Sequence, residues 1–129
     1  MNQSTYKVVL IGDSYTGKSC LFTRILQNSF YLNSGATMSA SFGRKEITIK
    51  NNTVCLDIWD TGGHERYRSI NRIFYKNANI IIFMYNVANQ MTFESIKSYH
   101  YETVKSAAEN ASMNILIMIY SVNFSWKFM

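Results

Sequence analysis

The residues with the clearest chemical meaning form one short stretch near the amino terminus. It reads Gly12-Asp13-Ser14-Tyr15-Thr16-Gly17-Lys18-Ser19 and has the spacing of a phosphate-binding loop, Gly-x-x-x-x-Gly-Lys-Ser/Thr. Such a loop directs backbone N–H groups and the positive end of the following helix at one point, which suits a polyphosphate. Lys18 would add a positive charge at the outer phosphates, and the Ser19 hydroxyl would be a ligand for Mg²⁺. The alternative is a glycine-rich turn with no ligand.

The elements around this stretch favour the functional interpretation. The preceding residues, Tyr6 to Ile11, predict a short buried strand. The following residues, Cys20 to Leu26, predict a helix with one apolar face. Strand, loop and helix in this order are the context that the motif requires, so we predict a nucleotide site.

A second group of residues narrows the chemistry. Asp60 ends a predicted apolar strand, where its carboxylate can hold Mg²⁺ through a water, opposite Ser19. Gly63 lies three residues after Asp60 and would let a backbone N–H approach the terminal phosphate. Asp-x-x-Gly alone is typical of a plain turn, but the upstream phosphate loop favours a functional pair. Thr37 lies in the loop between these two groups of residues. It would bind Mg²⁺ and the γ-phosphate, and this contact would order the loop only when a triphosphate is bound. Nothing in the sequence around Thr37 distinguishes it from any other loop threonine.

Composition sets limits on the class of protein. The chain has 129 residues, which indicates one domain. Its net charge is +5, but the basic residues are scattered and do not predict nucleic-acid binding. The start of the chain is polar and no signal peptide is evident. The apolar run Ile80 to Tyr85 is too short to span a bilayer. Cys20 and Cys55 lack any metal or disulfide spacing, so we expect a reduced, cytoplasmic protein.

The rest of the chain predicts alternating strands and helices. Thr92 is the predicted N-cap of the longest helix, and His100 on its apolar stripe is interpreted as a structural boundary residue, not a ligand. The order predicts an α/β fold with a mainly parallel sheet. The predicted elements are an edge strand at Phe42–Lys50, a turn at Lys50–Thr53, strands at Val54–Asp60, Asn79–Tyr85 and Asn114–Tyr120, and helices at Tyr67–Tyr75 and Phe93–Ala111.

Several segments together resemble the small GTPases of the Ras superfamily, and among them the Rab branch. Ile58 to Ile70 is similar to the family segment Ile-Trp-Asp-Thr-Ala-Gly-Gln-Glu-Arg-Phe-Arg-Ser-Ile. Thr37 to Phe42 occupies the first switch, where Rab proteins usually have Thr-Ile-Gly-x-Asp-Phe. Phe74 to Ala78 resembles Tyr-Tyr-Arg-Gly-Ala, and Tyr85 to Phe93 resembles the Rab segment that starts Tyr-Asp and ends Ser-Phe. The resemblance runs from about Tyr6 to Tyr120, in order and in spacing.

The resemblance implies a P-loop NTPase fold, a Ras-like mostly parallel sheet flanked by helices on both faces. It also implies a GTP-binding switch that regulates vesicle and membrane traffic, with GTP or GDP and Mg²⁺ as ligands. Effectors, exchange factors and GTPase-activating proteins would bind its two switch loops. The metal ligands would be Ser19, Thr37 and Asp60. The implied nucleotide-binding residues are Gly12, Asp13, Ser14, Tyr15, Thr16, Gly17, Lys18, Ser19, Cys20, Phe30 (against the guanine), Thr37, Asp60 and Gly63.

The sequence departs from the family in three places. His64 stands at the position of the glutamine that orients the attacking water, so we predict slow GTP hydrolysis. Tyr15 is bulky where a small residue is usual, and fits if its side chain points outward. Val122-Asn123-Phe124-Ser125 stands where Asn-Lys-x-Asp reads guanine. The sequence also lacks the family's last strand and last helices, so we expect a single domain over residues 1–129 that is incomplete at its C-terminus. It lacks the family's prenylation cysteine as well, so we expect no direct membrane anchor in this chain.

Two other functions remain open. The chain could be a truncated pseudo-GTPase that acts as a protein-interaction module without specific guanine binding, through a surface of Phe42, Trp59 and Tyr75. It could also be another P-loop enzyme, such as a nucleotide kinase, although the segment from Asp60 to Ile70 argues against this. GTP-selective binding would support the switch, and its absence would support the interaction module.

Overall fold

The described part of the chain contains five strands, two helical regions and a short helical segment at residues 73–75. The computed structural model describes residues 3–27, 41–62, 73–107 and 115–121, the last of these as backbone only. In chain order the elements are β1 (Ser4–Ile11), α1 (Lys18–Gln27), β2 (Ser41–Ile49), β3 (Asn52–Asp60), β4 (Ile80–Asn86), a helical region of α2 (Gln90–Ser95), a π-helical turn (Ile96–His100) and α3 (Tyr101–Ala107), and β5 (Ile115–Ser121).

The strands form one sheet in the order β2-β3-β1-β4-β5. The pairs β1–β3, β1–β4 and β4–β5 are parallel, and only β2 runs antiparallel to its neighbour. Leu10 of β1 lies opposite Asp60 of β3 and Ile82 of β4. The carboxyl ends of β1, β3 and β4 therefore meet at one edge of the sheet, where ligands bind in open α/β sheets. The predicted α/β fold is confirmed.

The predicted hairpin is present between β2 and β3. Ile49 pairs with Asn52, and the two residues between them have positive φ angles, 47° for Lys50 and 68° for Asn51. Two consecutive residues with positive φ are the mark of a type I′ turn, whose twist matches that of the strands. Most of β2 is exposed to solvent, as predicted for an edge strand.

The core has two parts, one on each face of the sheet. On one face, Val9, Ile11 and Phe83 pack with Ile96 and Val104 of the second helical region. On the other face, the core consists of Val8, Leu10, Ile58, Ile82 and Met84, and Leu21, Phe22 and Ile25 of α1 pack against it. The central strand β1 is covered on both sides, which explains its continuous apolar run.

The second helical region begins earlier than predicted. Asn89 is the N-cap, because its side chain accepts a hydrogen bond from the backbone N–H of Met91. The prediction of Thr92 as N-cap is wrong: Thr92 lies inside the first turn, and its hydroxyl donates to the carbonyl oxygen of Asn89 at 2.7 Å. Of the predicted helix at 67–75, residues 73–75 are helical and the others lie outside the described ranges. In the parts that the structure describes, no helix has the length and apolar character needed to cross a membrane.

Candidate functional site

The phosphate-loop residues form a continuous turn between β1 and α1. Glycine is required at two of its positions. A Cβ on Gly12 would lie 2.3 Å from the backbone oxygen of Met84, so the neighbouring strand β4 leaves no room for a side chain. Gly17 has a φ angle of 95°, which glycine adopts without strain. The glycine spacing that defines the sequence motif is thus explained by backbone contacts in this chain.

Lys18 is buried inside this turn. Only 5% of the residue is exposed, and its Nζ donates hydrogen bonds of 2.8 Å to the carbonyl oxygens of Gly12 and Asp13. Burial lowers the pKa of Lys18 to about 8, although the negative charges of Asp60 and Asp13 act in the opposite direction. The loop therefore holds a cation in an environment that disfavours its charge, and an anion close to Nζ would relieve that cost.

Ser19 and Asp60 meet where α1 begins and β3 ends. The Ser19 hydroxyl donates to Oδ2 of Asp60 at 2.6 Å. Asp60 is 1% exposed, and burial raises its pKa, partly offset by the Ser19 hydrogen bond and by the charge of Lys18. Its other oxygen, Oδ1, is buried and has no hydrogen-bond partner among the described residues. A hydroxyl beside a carboxylate with an unsatisfied oxygen fits the oxygen ligands that Mg²⁺ prefers.

Two threonines that sequence reasoning did not assign a structural role hold this arrangement in place. The Thr61 hydroxyl donates to the carbonyl oxygen of Leu10 at 2.7 Å, which ties the end of β3 to β1 beside Asp60. The Thr16 hydroxyl donates to the carbonyl oxygen of Asp13 at 2.8 Å, within the loop. Both threonines are fully buried. The available signal for Thr61 was its position directly after the predicted metal ligand.

The predicted site residues divide into two groups. The structure brings together Gly12 through Cys20 with Asp60 at the carboxyl edge of the sheet, and Cys20 lies half-buried in α1. The predicted roles of Phe30, Thr37, Gly63 and His64 fall outside the residues that the structure describes, as does the departure at Val122 to Ser125. The part of the site that the structure describes is therefore its phosphate and metal side.

Tyr15 adopts a backbone conformation that is unusual for its residue type. Its φ angle is 63°, and 74% of the residue is exposed, so its ring points outward as expected. A side chain in the left-handed region costs about 1–2 kcal/mol, because Cβ approaches the following carbonyl oxygen. This strain lies at the centre of the phosphate loop.

We expect that Tyr15→Gly stabilises the nucleotide-free chain. The release of strain exceeds the extra backbone entropy of glycine in the unfolded state, for a net gain of about 1 kcal/mol in the free energy of unfolding. Urea denaturation measures it. Tyr15→Ala is the matched control, since it removes the ring but keeps a Cβ at positive φ. If the glycine variant were no more stable than the alanine variant, the strain argument would be wrong.

An aromatic cluster lies at the β2–β3 side of the molecule. The ring of Trp59 lies 4.8 Å from that of Phe42 and 5.0 Å from that of Phe74, measured between ring centroids. Phe42 is 49% exposed, but Tyr75 is 2% exposed and belongs to the core. The prediction of Tyr75 as a surface residue is therefore wrong. Neighbouring residues in a helix point about 100° apart, so Phe74 occupies the cluster while Tyr75 faces inward.

Comparison with known proteins agrees with this geometry. The model of the Ras family matches residues 7–122. The Ras-related protein rab-11.1 of Caenorhabditis elegans is 39% identical over 114 residues, which are 88% of this chain and 52% of that protein. The chain thus spans about half the length of this curated relative. The extent of both matches shows that the chain belongs to the Ras family and is a Rab-like small GTPase of the Ras superfamily.

Proposed function

We propose that the chain is a GTP-binding molecular switch of the Rab type, which hydrolyses GTP slowly and regulates vesicle traffic. The observation that carries this proposal is Lys18, a buried cation held between two loop carbonyls beside the Ser19–Asp60 pair. Burial disfavours the charge of this lysine, and a bound phosphate close to Nζ would relieve that cost. Membership of the Ras family supports guanosine nucleotides as the ligands.

Each residue has a distinct task in this proposal. Lys18 donates to oxygens of the outer phosphates, and the backbone N–H groups of the loop do the same over its length. Ser19 and Asp60 would hold Mg²⁺ together with Thr37 of the first switch loop. The metal, when bound, neutralises charge on the phosphates. Gly63 at the terminal phosphate and Phe30 against the base are roles that the family resemblance implies, for residues outside the described ranges.

The conversion of Ser19 and Asp60 from partners of each other into metal ligands requires little change. Both already face the same point, because Thr61 fixes the end of β3 against β1. The buried carboxylate has one oxygen on Ser19 and one without a partner in the described structure. The proposed metal site therefore needs no rearrangement of the sheet.

We expect that His64→Gln accelerates single-turnover GTP hydrolysis. An amide can accept a hydrogen bond from the attacking water and donate one to the γ-phosphate, whereas a neutral imidazole cannot do both from so short a reach. One additional hydrogen bond in the transition state corresponds to about tenfold in rate. Phosphate release from preloaded protein measures the rate, and His64→Ala serves as the control. Equal rates for the natural and glutamine forms would show that His64 does not limit hydrolysis.

The proposed choice of guanine is tested by competition. Fluorescent GTP bound to the chain in Mg²⁺ is displaced with unlabelled GTP, GDP or ATP in parallel titrations. The switch proposal predicts that GTP and GDP displace the probe at far lower concentrations than ATP. Equal displacement by ATP would leave a phosphate site without guanine selection, which contradicts the assignment as a GTP switch.

The proposed partners are effectors, exchange factors and GTPase-activating proteins that bind the two switch loops, at endomembrane surfaces. The cluster of Phe42, Trp59 and Phe74 supports this, because it places half-exposed aromatic area next to the site. The same cluster favours a second candidate function, an interaction module that binds its partner whatever the nucleotide. Partner binding that is equal in GTP, GDP and nucleotide-free samples would favour that second function.

A further inference from the structure

His100 lies against the phosphate loop. It belongs to the π-helical turn after α2, and its Nε2 is 2.8 Å from Oδ1 of Asp13, a residue 87 positions away in the sequence. His100 is 3% exposed, so it is a buried residue and not the boundary residue predicted from the helical stripe. An ionised carboxylate can only accept, so Nε2 carries the hydrogen and donates it to Asp13.

Asp13 connects this histidine to the centre of the site. Its backbone oxygen accepts hydrogen bonds from Nζ of Lys18 and from the Thr16 hydroxyl, both at 2.8 Å. Its side chain accepts from His100. The same residue thus contacts the lysine through its main chain and the second helical region through its carboxylate. A displacement of Asp13 would move a carbonyl oxygen that positions Lys18.

His100 lies in a π-helical turn that packs on the sheet. The backbone N–H of Tyr101 bonds to the oxygen of Ile96, five residues back, so the turn is wider than an α-helical one. Ile96, His100 and Val104 are all buried, spaced by four residues along the face that covers the sheet. The ring of Tyr99 stands edge-on to the imidazole, with centroids 5.2 Å apart. His100 is therefore held in one orientation by packing as well as by its hydrogen bond.

We propose that His100 is a positioning residue for nucleotide binding, which fixes the phosphate loop through Asp13. The inference takes its ligand, a nucleoside triphosphate or diphosphate with Mg²⁺, from the proposed function and in this respect rests on it. The hydrogen bond from Nε2 keeps the Asp13 carboxylate on the side of the second helical region. It thereby keeps a negative charge from turning toward the bound phosphates and holds the Asp13 carbonyl on Lys18.

The test compares His100→Leu, which removes the donor at similar volume, with His100→Gln, whose amide nitrogen takes the place of Nε2. Release of fluorescent GDP is timed in Mg²⁺ after addition of excess GDP. A hydrogen bond to a charged group predicts release about tenfold faster in the leucine variant. The glutamine variant restores a rate within about threefold of the natural one, since the donor is retained. Glu102→Gln, on the exposed face of α3, is the control and leaves the rate unchanged.

A second readout does not depend on nucleotide. Amide hydrogen exchange of the nucleotide-free chain is followed over residues 12–18 and over β1 and β4. The leucine variant exchanges faster in the loop only, and the glutamine variant behaves like the natural chain. Asp13→Ala, read by exchange alone, removes the same bond from the other side and gives the same loop-specific increase if the leucine variant fails to fold.

The outcomes separate the two proposals. If the natural chain binds no GDP, the proposed function fails and the exchange data still decide the role of His100. Loop exchange that is equal in the natural chain and in the variants that fold would overturn the inference. The inference is also overturned if both His100 variants release GDP at the natural rate, or if glutamine fails to rescue in both readouts.

Discussion

Lys18→Met removes GTP binding without destabilising the nucleotide-free chain. The ammonium group would supply charge-assisted hydrogen bonds to phosphate oxygens, and its loss weakens binding by at least about 100-fold, or about 2.7 kcal/mol. The same group lies in an environment that disfavours its charge, as its lowered pKa shows. The substitution ends the desolvation cost of the buried ammonium group, and this gain offsets the loss of its two hydrogen bonds to the loop carbonyls. The free energy of unfolding at pH 7 is therefore expected not to fall.

The pH dependence of stability gives this prediction a second signature. A pKa of about 8 in the folded chain, against 10.5 for an ordinary lysine, means that the folded state binds fewer protons between these values than the unfolded state. The free energy of unfolding then rises as pH increases from about 8 toward 10.5. Lys18→Met lacks this contribution.

Calorimetric GTP titration and urea denaturation across pH measure both effects of the Lys18 substitution. Lys105→Met is the matched control, because Lys105 is an exposed lysine on α3. A Lys18→Met protein that still binds GTP, or one that has lost its fold at pH 7, would contradict this account of Lys18.

Asp60→Asn makes nucleotide binding insensitive to Mg²⁺. Asparagine preserves the shape of the side chain and can still accept from Ser19, but it lacks the charge that a divalent cation requires. We expect affinity for GTP in Mg²⁺ to fall by about 10- to 100-fold, the range for loss of an outer-shell partner of a metal, since Asp60 is expected to hold Mg²⁺ through a water. In the presence of a chelator, the variant and the natural chain should bind GTP equally.

The control for Asp60 is the same substitution three residues earlier on the same strand. Asp57 pairs with Arg44 on the exposed side of the sheet, with hydrogen bonds of 2.6 and 2.9 Å. Its pKa is lowered chiefly by the hydrogen bond from Arg44, and it has no contact with the loop in the described structure. Asp57→Asn should leave the effect of Mg²⁺ intact. Persistent Mg²⁺ dependence in Asp60→Asn would remove Asp60 from the proposed metal site.

The sequence was most informative for structural features that are determined by residues close together along the chain. The phosphate loop could be predicted because its residue types and spacing all lie within residues 12–19, although the contact of Gly12 with Met84 of β4 became visible only in the structure. The hairpin was predicted from asparagines, which tolerate positive φ, and one of them, Asn51, adopts it. The mainly parallel sheet followed from apolar strands that alternate with helices. These features are marked by neighbours in sequence, and the structure agrees with them.

Sequence reasoning failed where two neighbouring residues could serve the same purpose. Asn89 and Thr92 are both good N-cap residues one turn apart, and only the hydrogen bond to Met91 identifies Asn89. Phe74 and Tyr75 are adjacent aromatic residues, and the rotation of the helix about its own axis decides which of them is buried. Neither choice is encoded by composition or periodicity.

The contact of His100 with Asp13 is a failure of a different kind. The two residues are 87 positions apart in sequence, and periodicity places His100 on a buried stripe without indicating what it contacts. A histidine on an apolar stripe gives no sign of its partner until the sheet order brings the second helical region next to the loop. Features of this type require the tertiary structure.

The central claim is that Lys18, Ser19 and Asp60 form the phosphate and metal side of a GTP site. Titration of fluorescent GTP into the purified chain, once with Mg²⁺ and once with a chelator, tests it most directly. The account predicts sub-micromolar binding in Mg²⁺ that weakens markedly when the metal is removed. Absence of binding, or binding of equal strength with and without Mg²⁺, would contradict it.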